Sequence, residues 1–154
     1  MDAAWLVHQT ICGAIAAAGF GVLFNVSFRV LPWCAASGAL ALAVRSVCLA
    51  SGWNLEGGSF AAALIVGAAV QALRKPLDAA ENVLDVVGCI PMVPGSFAAK
   101  AILGLFAVAT TQGAGDPEAM VSALQYSLRV AFTIGAIGTG LAIPTLLQQR
   151  RQPE

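Results

Sequence analysis

The residues Ile90-Pro91-Met92-Val93-Pro94-Gly95 interrupt an apolar stretch, Asn82 to Thr110, that is otherwise long enough to cross a membrane. Two prolines delete backbone donors and disfavour helical geometry in the residues before them, so the helix must break here. Ser96 is then expected to be the N-cap of a second half-helix starting at Phe97. The free N–H groups of such a terminus, together with the helix dipole, favour an anion, and Lys100 one turn further on adds a cation. The chemistry implied is capture of a carboxylate by the segment holding Pro91, Pro94, Gly95, Ser96 and Lys100. A proline kink that only shapes the helix packing is the competing reading. Two prolines, a glycine and a capping serine together favour the binding site.

Other polar residues lie within apolar surroundings. Arg45 stands well inside a stretch running from Leu31 to Ala50, with only Ser46 polar beside it. A charge at that depth costs about 2.5–3.5 kcal/mol on insertion scales, so its side chain should face the protein interior or reach out to the interface. Arg129 is expected nearer the edge of its span, reaching for the interface. Asp78, Glu81 and Asp85 follow Pro76 at helical spacing. An interfacial acidic stripe at a helix start explains them, and Asp85, the deepest, is the candidate proton carrier. The only histidine, His8, sits near the end of the first apolar stretch, so neither a His cluster nor a Ser-His-Asp triad can be assembled. Cys12, Cys34, Cys48 and Cys89 have no paired spacing and read as small hydrophobes rather than disulfides or metal ligands. No cofactor, metal or catalytic machinery is expected.

The elements that hold these residues follow from composition. Of 154 residues, 58% are hydrophobic and 10% charged, with a mean hydropathy of +0.81. Eight basic and eight acidic residues are too few to cover the surface of a soluble domain, where about a quarter of residues are charged. Disorder requires low hydrophobicity and is excluded as well. The absence of a basic stripe excludes nucleic acid as a partner. The expected fold is an all-α, polytopic membrane bundle, a single transmembrane domain over 1–154 embedded in the lipid bilayer. Its spans are expected at about 5–24, 32–50, 59–73, 82–110 (broken) and 129–147, with 119–128 either extending the last or lying at the interface.

With five crossings, one side collects Arg29, Arg74, Lys75, Arg150 and Arg151, and the other Asp2, Glu56, Asp116 and Glu118. The positive-inside rule then puts the N-terminus outside and the C-terminus in the cytoplasm. Treating 82–110 as a re-entrant hairpin spoils that charge separation. Trp5, Trp33 and Trp53 fall at span ends, as an aromatic belt requires. Gly13, Ala17 and Gly21, and again Ala131, Gly135 and Thr139, recur every four residues and read as helix-packing stripes. An odd span count cannot hold two equal halves, so a symmetric transporter needs a second chain or a second copy.

Taken together, GFGVLFNV at 19–26, LPWCAASGAL at 31–40, SGWNLEGGSFAAALIVG at 51–67, IPMVPGS at 90–96 and IGAIGTGLAIP at 134–144 resemble the threonine/serine exporter family. The likeness is closer to its short split form, the YjjB-type subunit that works with a YjjP-type partner chain. The resemblance implies an inner-membrane exporter built from two different chains. The implied substrate is a small carboxylate-bearing metabolite, threonine or serine in the long members and succinate in the split pair, moved at the expense of the proton motive force. The motif positions are Asn25, Arg45, Ser51, Gly52, Asn54, Pro91, Pro94 and Gly95. Lys100 falls where members often carry a basic residue, whereas Asp85 has no counterpart. The resemblance thus adds Asn54 to the substrate-binding candidates and supports Arg45. A structural or assembly subunit with no substrate site of its own is the alternative class.

Overall fold

The computed structural model describes residues 3–72, 81–110 and 117–149, and every element among them is helical. Helix α1 is Ala3–Leu23, α2 Leu31–Ala50, α3 Leu55–Ala72 and α4 Glu81–Cys89. A 3-10 turn, Ile90–Met92, follows, then α5, Gly95–Thr110, and α6, Pro117–Gln149. Helices α1, α2, α3 and α6 are each long and apolar enough to cross a membrane, and α4 with α5 makes a fifth if the broken pair is one span. The expected all-α membrane bundle is therefore the observed architecture. Arg74 and Lys75, Asp78, most of the segment Gln112–Glu118, Asp2 and the tail with Arg150 and Arg151 lie outside the described residues.

Local chemistry explains where the helices stop. Asn25 adopts a left-handed φ of 57°. Its N–H bonds Val22 O at 3.0 Å, and that of Val26 bonds Gly21 O at 2.9 Å, the paired pattern that satisfies terminal carbonyls. Gly52, at φ 87°, ends α2 in the same way, with Gly52 N–H on Leu49 O and Trp53 N–H on Cys48 O, both 3.1 Å. Asn54 then caps α3, its Oδ1 accepting the Gly57 N–H at 3.0 Å. That cap starts α3 at Leu55 rather than Ser59, so the expected loop 51–58 shrinks to 51–54. The last helix also starts early, because Pro117 suits a first helical turn; α6 absorbs 119–128 and runs unbroken to Gln149.

The chain divides into two units, Met1–Met92 with Ala136–Glu154, and Val93–Gly135. In the first, small residues set the packing distance. A Cβ at Gly38 would meet Gly13 O at 2.5 Å, and one at Gly21 would meet the Cys34 sulfur at 3.3 Å, so α1 and α2 pack antiparallel along the Gly13/Ala17/Gly21 stripe. Gly88 of α4 sits on Ser37 of α2, where an added Cβ would meet the Ser37 Cβ at 2.7 Å. The Ser37 hydroxyl reaches Cys34 O at 2.9 Å and, across to α4, Leu84 O at 3.2 Å. Gly140 lies on Phe60 and Ala63, Gly67 on Leu141 and Pro144, and Gln71 on Thr145. These pairs rise together, so α3 and the end of α6 run parallel. One core of this unit holds Ala41, Ala62, Val66, Cys89, Met92 and Ile137. In the second unit α5 packs antiparallel on the start of α6, with Gly104 against Ala123.

Among the described residues, the second small-residue stripe is not buried as the first is. Ala131 and Gly135 are exposed, and a Cβ at Gly135 would meet nothing within 4 Å. All four cysteines are free, and Trp5, Trp33 and Trp53 are exposed at helix ends.

Candidate functional site

The break forms because Pro91 and Pro94 lack the N–H groups that would reach the carbonyls of Val87 and Ile90. Helix α4 tightens into the 3-10 turn and ends at Met92, whose side chain is fully buried. Its carbonyl does not wait for the next turn of helix. Arg45 of α2 donates from Nη1 to Met92 O at 2.7 Å. A cation against the last carbonyls of a helix is also favoured by the dipole. Of the two expectations for Arg45, the interior one is met: the residue is half-buried and its guanidinium braces the break.

The balance of terms at this contact is informative. A hydrogen bond to a charged group contributes about 1.5–3 kcal/mol, comparable with the roughly 2.5–3.5 kcal/mol cost of the cation at depth. The acceptor is a neutral carbonyl, however, so the positive charge itself is not cancelled. Among the described residues Arg45 has no carboxylate partner. Guanidinium carries five N–H donors in a planar fork, and one bond to Met92 leaves the geometry for a bidentate carboxylate open.

The second unit receives the other expected residues. Pro94 is buried, while Gly95, Ser96 and Lys100 are exposed. Helix α5 begins at Gly95, so Ser96 lies inside its first turn and is not the N-cap. The cap is the backbone of Pro94, whose carbonyl accepts from Phe97 N–H and Ala98 N–H, both 3.1 Å, while Gly95 N–H bonds Val93 O at 2.8 Å. Those donors are committed to the chain's own carbonyls, because the tight turn Val93–Pro94 folds its oxygens back onto them. Lys100 is drawn to α6 instead: its Nζ lies 5.5 Å from the centre of the Tyr126 ring.

That lysine is one rung of a ladder. Phe97 and Tyr126 stack with centroids 5.8 Å apart and planes inclined by 24°, and the Arg129 guanidinium lies 5.3 Å from the Phe97 ring centre. From Thr110 back to Lys100 is about 15 Å of helix, and from Pro117 to Arg129 about 18 Å. Both cations thus sit about half the 30 Å hydrocarbon thickness away from those helix ends. Helix α6 starts twelve residues before Arg129 and, at about 50 Å, is longer than the hydrocarbon core is thick, so its start does not set the depth of Arg129. Both cations are exposed, where a cation–π contact contributes about 0.5–1 kcal/mol.

Asn54 is occupied as the α3 cap and is exposed. Asp85 is half-buried on α4 and accepts the Val86 N–H at 2.8 Å. Sequence reasoning did not find Tyr126, Phe97 and Arg129 as a group, although paired aromatic and basic residues at 97/100 and 126/129 carry the signal. It also missed Gln71, whose Nε2 bonds Thr145 Oγ1 at 3.2 Å, while its buried Oε1 has no partner among the described residues.

A family model described as "Threonine/Serine exporter, ThrE" matches residues 9–147. The chain belongs to the threonine/serine exporter family. Membership covers both units, so the exporter's Arg45–Met92 contact and its aromatic–cation ladder lie within the family domain. It also supports a membrane exporter role for this chain. No solved structure matches it.

Proposed function

We propose that the chain is one subunit of a two-component exporter in the inner membrane, carrying small carboxylate-bearing metabolites such as succinate or threonine and serine. The N-terminus is outside and the C-terminus in the cytoplasm. The observation that carries this reading is the Arg45 guanidinium, held at the broken fourth span by the Met92 carbonyl at 2.7 Å and without a carboxylate partner among the described residues. An arginine fixed in place but not neutralised is a preorganised receptor for a carboxylate. Broken helices in membrane transporters expose such termini to solutes near the midplane. Pro91 and Pro94 act by keeping the Met92 carbonyl out of a helical ladder. Gly95, Ser96 and Lys100 begin the following half-helix, and Asn54 and Asp85 take supporting places on the path, Asp85 as the proton-coupling group.

Five crossings are supported by the parallel packing of α3 with the end of α6. Two parallel spans start on the same side, so the chain between them must cross once more, and a re-entrant 82–110 would make them antiparallel. An odd count supports a second membrane chain, of the YjjP type, as partner. The test is metabolite profiling of the medium after deleting this gene and its candidate partner, alone and together. Loss of extracellular succinate, threonine or serine in every deletion is expected. An unchanged medium in all three strains refutes the reading.

A further inference from the structure

We infer that Gln71 determines specificity, its carboxamide oxygen accepting a hydrogen bond from a solute in the cavity between the last turns of α3 and α6. The class selected carries an ammonium or hydroxyl group beside its carboxylate, and a plain dicarboxylate is disfavoured. The inference rests on the exporter reading for its solute and uses none of the residues around Arg45.

The starting point is one atom. Gln71 Oε1 is buried and has no hydrogen-bond partner among the described residues. Native structures pair almost every buried polar atom, so such an exception calls for an occupant or a role. The other end of the same amide is committed. Its Nε2 donates to Thr145 Oγ1 at 3.2 Å, and that hydroxyl donates onward to Leu141 O at 3.1 Å. Turning the amide over would take the Thr145 hydrogen from Leu141 and strand both amide hydrogens instead. Gln71 therefore offers an acceptor and lacks a donor.

A cavity of about 510 Å³ lies beside this amide, within the size range of small-molecule sites. Leu64, Ala68, Ile143 and Leu147 give it apolar walls, and Gln148 adds a second carboxamide that makes no hydrogen bond among the described residues. Apolar walls with a few converging polar groups are the usual make-up of a solute site. The terminal torsion of glutamine is soft, so a swing of the amide carries Oε1 from the wall to the cavity. A hydrocarbon tail lodged there supplies no donor and leaves Oε1 as it is. An ammonium or hydroxyl group does supply one, and the charge of an ammonium strengthens the bond. A dicarboxylate at neutral pH has acceptors only, so it meets the partial negative charge of Oε1 and gains nothing.

The experiment uses everted membrane vesicles from cells expressing the full chain with its candidate partner. Uptake of radiolabelled threonine and succinate is followed over a concentration series. Gln71→Leu is expected to raise the half-saturating concentration for threonine about tenfold and that for succinate less than threefold. Gln71→Glu keeps an acceptor and is expected to hold threonine within about threefold. Thr145→Val removes the same interhelical hydrogen bond but spares Oε1, and threonine is again expected within about threefold. Variant levels in the membrane are measured alongside. An unshifted threonine curve in Gln71→Leu overturns the inference and assigns the cavity to water or lipid only. Equal shifts on both solutes, or a Thr145→Val profile matching that of Gln71→Leu, reduce Gln71 to a packing contact and overturn it too. Wild-type vesicles that move succinate but not threonine overturn it as well. Where threonine alone is moved, the comparison of Gln71→Leu with Thr145→Val decides. Wild-type vesicles that move neither solute overturn the exporter reading itself.

Discussion

Replacing Arg45 by Gln separates its bracing role from its binding role. The substitution removes the charge-assisted bond to Met92 O, at about 1.5–3 kcal/mol. It also removes a cation whose insertion costs about 2.5–3.5 kcal/mol, and Gln can still donate to a carbonyl. The two terms oppose one another, so the stability of the detergent-solubilised protein should change by about 1 kcal/mol or less. Thermal unfolding read by a thiol-reactive dye on the buried Cys34 and Cys89 measures it. A carboxylate loses its charged fork outright. At 1.4 kcal/mol per tenfold, the same 1.5–3 kcal/mol corresponds to roughly ten- to hundredfold weaker binding. The assay is the concentration dependence of solute uptake into everted vesicles, with Arg45→Lys as the charge-keeping control and an intermediate loss expected. Wild-type kinetics in Arg45→Gln would refute the anchor. A large fall in unfolding temperature with transport retained would reduce Arg45 to a structural brace.

Gly88→Ala should destabilise the first unit by about 1–3 kcal/mol, because the new methyl meets the Ser37 hydroxyl first and Ser37 Cβ behind it at 2.7 Å. Combining it with Ser37→Ala should recover part of the loss in thermal unfolding, and additive losses would show that the two sites do not touch. Gly135→Ala should leave the isolated chain as stable or raise it by up to about 1 kcal/mol, since open space surrounds that position and Ala is the better helix former. A lowered unfolding temperature in the isolated chain would contradict the open geometry.

The positions singled out in the sequence carried unequal information. The broken helix was readable at Pro91 and Pro94 because proline acts on its own backbone whatever surrounds it. Asn25 and Gly52 stood out as motif positions, and the structure gives both a local reason, the left-handed residue that ends a helix. Ser96 was misjudged as a cap because the Pro94 carbonyl, not a side chain, takes the first N–H groups. Helix α6 begins inside the expected loop Gln112–Glu118 because Pro117 acts as a helix opener rather than a loop residue. Asn54 lies in a motif yet caps α3.

Sequence alone determined that this is a helical membrane protein of four or five spans and where one of them must break. Hydrophobic length and proline geometry are properties of contiguous residues, and they need no tertiary partner to be read. Only the tertiary structure decided that Arg45 grips a carbonyl 47 residues away, that Lys100 and Arg129 share one pair of rings, and that one glycine stripe is packed while the other is open. Those pairings depend on the rotation and register of one helix against another. The small residues that set this register make the spans nearly alike in hydropathy, so the pattern along the chain does not encode which face meets which.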